Sequence, residues 1–287
     1  MTLQFNKDGK PSLHSRAQIK SKIELTELDF SRIVNKFNSL SGICIPNHKR
    51  TLVKTRVAPR LRECGVTTFS EYIDYMSTPK GASEVECFCN VLTTNLTSFF
   101  REKHHFDHME CELNARKPNK VRVWSAGCST GEEAYSIAMI LRCLQLDTNC
   151  SDVKLLATDL DSRVLASANE GSYDSSCLSK IPKNFWKFLN SDENSGKFTI
   201  NEELRIITYF NRLNLLNNWP MKKQFDMVFC RNVLIYFSSE VKERIINRFC
   251  DMLNPGGTLY LGHSETILGG HPKLENLGNT VYKKKCE

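Results

Sequence analysis

The feature that most constrains this chain is a strand that runs directly into a glycine turn and then into a helix. Val121-Arg122-Val123-Trp124-Ser125-Ala126 is the strand, Gly127-Cys128-Ser129-Thr130-Gly131 the turn, and Glu132 to Leu144 the helix. Two further apolar runs end in polar residues: Lys154-Leu155-Leu156-Ala157-Thr158 in Asp159, and Asp226-Met227-Val228-Phe229-Cys230 in Arg231-Asn232. A helix is expected over 239–253, closed by the turn signal Asn254-Pro255-Gly256-Gly257. Thr258-Leu259-Tyr260-Leu261 reads as the next strand, and Asn279-Thr280-Val281-Tyr282 offers one more. This alternation predicts an α/β fold, a doubly wound and mostly parallel sheet with helices on both faces. Ligands of such sheets sit beyond the carboxyl ends of the strands. That places Gly127 to Glu133, Asp159, Arg231 and Asn232 at a candidate site.

The turn discriminates between ligands. A dinucleotide fingerprint reads GxGxxG, and Ala126-Gly127-Cys128-Ser129-Thr130-Gly131 lacks one of its glycines. Glu132 and Glu133 follow at once. A helix N-terminus favours anions, but two carboxylates there repel a pyrophosphate. They suit a ligand with a cationic group and no phosphate. S-adenosylmethionine fits, with an α-amino group, a sulfonium and a ribose, and Asp159 is placed to accept from ribose hydroxyls. The plain alternative is that the acids complement the helix dipole. It explains Glu132 and Glu133 but neither the glycines nor Asp159.

Composition describes a globular chain: 287 residues, 40% hydrophobic and 25% charged, a length that suggests two domains. No apolar run approaches the roughly 18 residues that span a bilayer, and MTLQFNKDGK lacks the apolar stretch of a secretion signal. A cytoplasmic protein is expected. The 12 cysteines are irregularly spaced with no CxxC pair, so reduced thiols filling core positions are expected, and no metal. Of 39 Lys+Arg and 32 Asp+Glu, 14 and 7 lie in residues 1–80, leaving 25 of each beyond. A basic front end on a neutral body calls for an acidic partner.

That front end reads as helical. Phe30-Ile33-Val34-Phe37 and Leu52-Val53-Val57-Leu61 have helix spacing, with breaks at 38–42 and 45–47. Lys49, Arg56 and Arg60 fall near one side of the second helix, flanked by Lys54 and Arg62. A solvated helix face is the plain alternative. Pro59 implies a kink or a late start, and Thr68 or Ser70 caps a further helix.

Four blocks together resemble the chemotaxis receptor methyltransferases, the CheR family. They are Leu92-Thr93-Thr94-Asn95-Leu96-Thr97-Ser98-Phe99-Phe100-Arg101-Glu102, Val123 to Ser136, Phe225 to Phe237, and Gly262-His263-Ser264-Glu265. The resemblance runs from about residue 25 to 283. It implies a helical receptor-docking domain over 1–90, a linker helix over 91–120 carrying cofactor-site residues, and a Rossmann-like S-adenosylmethionine domain over 121–287. A small antiparallel β subdomain would be inserted at about 175–213, where Lys197-Phe198-Thr199-Ile200 and Leu204-Arg205-Ile206-Ile207 alternate as strands do.

Site roles follow from the resemblance. Asn95, Thr97 and Arg101 would line the cofactor site with Gly127. Glu133 would hold the charged end, Asp159 the ribose, and Asn214 and Leu215 the adenine. Arg231, Asn232 and Tyr236 would close the pocket near the methyl group. Lys49, Arg56, Arg60 and Arg62 would dock the receptor, although Ala58 and Pro59 depart from the family's pattern there. The implied reaction is methyl transfer to glutamates on the cytoplasmic helices of chemoreceptors, leaving S-adenosylhomocysteine. The implied enzyme is a monomer that binds no nucleic acid and does not enter the membrane.

Such chemistry asks little of the protein. A glutamate is ionised at neutral pH, with an ordinary pKa of about 4.3, and the leaving group is a neutral thioether. Alignment and exclusion of water should dominate. Arg101 is placed to orient the carboxylate, and Tyr236 to shape the pocket. Tyr236 as a plain core aromatic, and Arg231 as the ion-pair partner of an acid such as Asp159, stay open. His104 and His108 resemble a metal pair but lack further ligands of suitable spacing, so helix surface is expected. His263 belongs to no GxSxG hydrolase motif. Two other functions remain: a methyltransferase with another substrate, and a non-catalytic scaffold that senses S-adenosylmethionine. The absence of aromatic residues among the basic ones of 49–62 argues against a nucleic-acid platform. Some family members tether to a receptor tail through a glycine-rich loop in the β subdomain. The 190–197 stretch has one glycine, so weak or absent tethering is expected.

Overall fold

The computed structural model describes residues 24–147, 150–192 and 195–286. Residues 1–23, which hold 5 of the 14 basic residues of the front end and 1 of its 7 acids, lie outside the described residues. So do 193 and 194 of the 190–197 stretch. The chain divides into two compact units. One holds the described residues to Leu40 with Ile45–Leu92, the other Ser41–Cys44 with the described residues from Thr93.

Among its described residues the first unit holds four α-helices: α1 Glu27–Ser41, α2 Arg50–Glu63, α3 Phe69–Tyr75 and α4 Glu84–Leu92. Thr26 and Asp29 close the start of α1 reciprocally, Asp29 N–H donating to Thr26 Oγ1 (3.0 Å) and Thr26 Oγ1 to Asp29 Oδ2 (2.7 Å). Phe30, Ile33 and Phe37 of α1 are buried, as are Val53, Val57 and Leu61 of α2. This is the spacing expected of one helix face. Phe88 of α4 meets Phe37 edge-on at 6.0 Å. Thr68 caps α3 in a capping box with Glu71. Pro59 lies inside α2, which neither starts late nor stops there.

The second unit contains α5 His104–Arg116, β1 Lys120–Ala126, α6 Glu132–Asp147, β2 Asp152–Asp159, α7 Ser162–Glu170, β3 Ser172–Asp174, β4 Leu189–Asp192, β5 Lys197–Ile200, α8 Glu202–Arg205, β6 Thr208–Arg212, β7 Phe225–Cys230, α9 Ser239–Met252, β8 Leu253–Leu261, β9 Leu274–Gly278 and β10 Val281–Lys284. Seven strands form one sheet in the order β6-β2-β1-β7-β8-β10-β9. The first five are parallel, and β10 and β9 add an antiparallel edge. From β1 the chain builds outward through β2 to β6, then returns to the other side of β1 with β7, so the strand order reverses between β1 and β7. Such a reversal opens a crevice at the carboxyl ends. Val123–Ala126 of β1 and Met227–Cys230 of β7, in the middle of the sheet, are buried at every position because both faces are covered. Trp124 is fully buried and spends its indole N–H on Thr158 Oγ1 at 2.9 Å.

A separate antiparallel sheet, β3-β5-β4, spans 172–200 and is inserted between α7 and α8. Lys197–Ile200 is a strand as expected, but Leu204-Arg205-Ile206-Ile207 is not. Glu202–Arg205 forms a helical turn after Asn201, and β6 then joins the main sheet beside β2. The linker also departs from expectation. Residues 93–103 are irregular, with Phe100 (φ 49°) and Glu102 (φ 56°) left-handed, so helix begins only at His104. Asn254-Pro255-Gly256-Gly257 bulges within β8: Phe225 pairs with Leu253 but Met227 with Thr258. Cys89, Cys128, Cys150, Cys230 and Cys250 are buried as core residues. No helix of the described residues is long and apolar enough to cross a membrane.

Candidate active site

The carboxyl ends of β2, β1 and β7 lie side by side, and the glycine turn spans the first two. Gly127 and Cys128 N–H donate to Thr158 O (2.7 and 3.0 Å), and Ser129 N–H donates to Asp159 Oδ2 (2.8 Å). Gly127 sits at φ +91°, and a Cβ there would lie 2.3 Å from Val233 Cγ2. Backbone conformation and close approach therefore both demand glycine. Ser129 Oγ donates to Asn95 O (2.8 Å), fastening the irregular 93–103 segment onto the turn.

Asp159 accepts a second amide, Asp161 N–H, on Oδ1 at 3.0 Å. Burial pushes its carboxyl up, opposed by the Asp161 and Ser129 amides. Leu213 N–H donates to Asp159 O (2.9 Å), which brings Asn214 and Leu215 beside it. Asn214 Oδ1 accepts Leu216 N–H at 2.9 Å, while Leu215 is buried in the core. Asp161, fully buried, is a hub absent from the sequence expectations. It caps α7 through Arg163 N–H (2.9 Å) and receives Thr93 Oγ1 and Asn95 Nδ2, each at 2.8 Å. The Asn95 side chain is thus engaged in fastening two loops together. Thr97 is half-buried on the same segment.

Arg231 is the charged centre. It is 5% exposed and ion-pairs with Glu133 Oε2 at 3.2 Å and Glu102 Oε2 at 3.3 Å. It also donates from Nη2 to the Arg101 carbonyl. Its partners are therefore Glu133 and Glu102, not Asp159. Glu133 accepts Ser125 Oγ at 2.7 Å. Burial pushes the Glu133 carboxyl up, against the pull of Arg231 and Ser125, and the neighbouring Glu102 and Glu265 push it further. For Glu102, burial works upward too, but the His263 hydrogen bond and Arg231 prevail and hold it at about 2. Two carboxylates around one guanidinium leave an unbalanced negative charge, and among the described residues Arg231 Nε has no hydrogen-bond partner. A centre of this charge, on the far side of β1 from Asp159, fits a cationic cofactor without phosphate.

Arg101 directs Nη1 to the Leu96 carbonyl (3.0 Å) with its side chain half-exposed. Asn232 follows β7 in a left-handed conformation (φ 59°) and turns its side-chain amide to Glu102 Oε1 at 3.5 Å. Tyr236 ends the short turn Leu234–Tyr236 and is half-buried; its carbonyl accepts Cys44 N–H at 2.8 Å.

The histidines differ from expectation. His104 is exposed, but His108 is half-buried against Tyr260 Oη (3.0 Å). His105 is fully buried, its Nε2 facing the Asn279 carbonyl at 2.9 Å, and burial lowers its pKa to about 4. Glu102, His104 and His105 present ligand-type atoms within 4.8 Å of one another. The guanidinium of Arg231 already supplies Glu102 with a cation there.

In the first unit, the basic residues expected to dock a partner are partly committed inward. Arg60 forms a two-point pair with Glu84 (2.8 and 2.6 Å), which also accepts Tyr72 Oη at 2.6 Å. Arg56 donates to the Leu92 carbonyl at 3.2 Å. Their shared side thus faces α4. Lys49 precedes α2 in a short turn, and Arg62 is exposed.

Comparison with known proteins agrees with this organisation. Residues 28–93 match the CheR methyltransferase all-alpha domain and 95–283 the CheR methyltransferase SAM binding domain. A probable chemotaxis protein methyltransferase of Rhizobium etli is 38% identical over 253 residues, 85% of this chain and 94% of that protein. The chemotaxis protein methyltransferase of Escherichia coli K12 is 37% identical over 269 residues, 92% and 93% of the two chains. Chemotaxis protein methyltransferase 2 of Pseudomonas aeruginosa is 38% identical over 265 residues, 90% and 93%. The chain belongs to the CheR family of S-adenosylmethionine-dependent methyltransferases.

Proposed function

We propose that the protein transfers a methyl group from S-adenosylmethionine to glutamate side chains on the cytoplasmic helices of chemoreceptors, acting as a monomer in the cytoplasm. The observation that carries this reading is the buried Arg231 between Glu133 and Glu102, at the carboxyl ends of the same strands as Asp159. It offers a negative centre to a cationic cofactor. The names of the similar proteins supply the chemotactic setting.

When bound, S-adenosylmethionine supplies an electrophilic methyl group whose C–S electron pair returns to sulfur as the acceptor oxygen bonds to carbon, leaving S-adenosylhomocysteine and a glutamyl methyl ester. Glu133 holds the cationic end, Asp159 accepts from the ribose, and Asn214 and Leu215 flank the adenine. Asn95 and Thr97 border the site on the segment fastened to the glycine turn. Arg101 orients the acceptor carboxylate, while Asn232 and Tyr236 line the methyl side and exclude water. No group need move a proton, because an ionised carboxylate attacks and a neutral thioether leaves. Arg62 and Lys49 of the helical unit meet the acidic receptor. Tethering to a receptor tail is weak or absent.

Mass mapping of chemoreceptor fragments after incubation with enzyme and cofactor tests this reading. Added methyl groups should map to glutamates in the cytoplasmic helices. Methyl groups on lysine, arginine or nucleic acid would overturn it.

A further inference from the structure

The turn that follows β8 carries a buried carboxylate with no role in the account above. Glu265 is 7% exposed. Its Oε2 accepts the N–H groups of Asn232 and Gly262, each at 2.7 Å, and its Oε1 accepts Ile235 N–H at 3.0 Å. Two of these three donors belong to the loop between β7 and α9, the loop of Arg231, Asn232 and Tyr236.

That loop needs holding. Asn232 sits at φ +59°, a left-handed conformation that asparagine tolerates better than other side chains but that its surroundings must still select. A second contact enforces the approach. A Cβ on Gly262 would lie 2.7 Å from Asn232 N, Asn232 Nδ2 and Glu265 Oε2, so the turn at 262 presses directly on residue 232. A carboxylate is an acceptor at every lone pair, and its bonds to amides are charge-assisted. Glutamine would turn an NH2 group toward one of the three amides.

We propose that Glu265 is a positioning residue for methyl transfer: it clamps Asn232 and Ile235 by their backbone amides and so fixes Tyr236, the next residue, at the methyl side. This rests on the placement of Asn232 and Tyr236 proposed above. Glu265 itself touches neither the cofactor nor the acceptor.

The test is Glu265→Gln in the full chain, with Gly262→Ala as an independent push on the same loop. We expect kcat to fall by about ten- to a hundredfold, the scale of a small misplacement of reacting groups. Cofactor Kd should change less than about threefold, because the glycine turn and Asp159 are untouched and Glu133 loses only one of the two acids that push its carboxyl up. Retention of kcat within about twofold in folded Glu265→Gln overturns the proposal. So does a parallel loss of cofactor affinity, which would make Glu265 part of the binding pocket. Loss of cooperative unfolding in both variants would make it a requirement of the fold alone, and overturns it too. Asn232→Ala and Tyr236→Phe run alongside. If both keep full kcat, the reading of the methyl side has failed, which distinguishes that failure from one of the clamp.

Discussion

Replacing Arg60 with alanine separates a structural arginine from a docking one. Arg60 and Glu84 have side chains 18% and 8% exposed, joined by two hydrogen bonds of 2.8 and 2.6 Å. The substitution leaves the Glu84 carboxylate buried beside Tyr72 and the Cys64 thiol with no cation. Breaking a buried pair from one side costs about 3–5 kcal/mol. Partial access of water to Arg60 places this case at about 3 kcal/mol. Its second pair, with the exposed Glu63, adds less than about 0.5 kcal/mol. At roughly 4–8 °C per kcal/mol for a small domain, the melting midpoint of the helical unit should fall by about 12–24 °C. The loss should depend on pH. Burial raises the Glu84 pKa, but Arg60 and Tyr72 prevail and hold it below the ordinary value. The stability it contributes is therefore complete above the unfolded pKa and lost as pH falls through the folded one. Urea denaturation of both proteins at pH 7 and below about pH 4, where the unfolded carboxyl is protonated, measures this. Arg60→Met with Glu84→Leu should recover most of the loss, because no charge is left buried. An Arg60→Ala protein as stable as the parent, but failing to methylate receptor, would refute the reasoning and return Arg60 to the docking surface.

Other consequences concern the site. Gly127→Ala should weaken cofactor binding by more than about tenfold, since the new Cβ meets Val233 Cγ2 at 2.3 Å, and Val233→Ala should restore part of it; calorimetric Kd values decide. Arg231→Met should strand Glu133 and Glu102 without a cation, lowering activity by about a hundredfold or more, and Arg231→Lys should rescue little, which rate assays with each variant check. Burial pushes the Asp159 and Glu133 carboxyls up. A raised acid destabilises the free protein above its folded pKa, and a cationic ligand favours the ionised form. Cofactor affinity should therefore weaken as pH falls through those raised pKa values, and a flat Kd profile would oppose the assigned charge roles.

What could be read from the sequence was local. The glycine turn, the strand-end Asp159 and the helix faces of Phe30 or Val53 are patterns within a few residues, and each took its expected place. The pairing of Arg60 with Glu84 was not legible because that partner lies 24 residues away, on another helix. Glu102 and Glu265 stood inside the motif blocks, but nothing local shows that one carboxylate gathers a guanidinium or three amides. Asp161 carried a signal, an acid just before a helix, that reads as a cap and conceals its bonds to Thr93 and Asn95. Leu204–Ile207 alternated like a strand, yet Glu202 and Glu203 begin a helical turn there. Leu274–Gly278 is exposed along most of its length and its two leucines do not alternate, so the edge strand β9 had no apolar pattern to announce it.

The central claim is an ester on a receptor glutamate. The most direct measurement is transfer of labelled methyl from S-adenosylmethionine to chemoreceptor-containing membranes, followed by mild base. The account predicts release of the label as volatile methanol, with no release from receptor whose methylated glutamates are changed to alanine. Label that stays on the protein through base would contradict it, because an N- or C-methyl bond survives where a glutamyl ester does not.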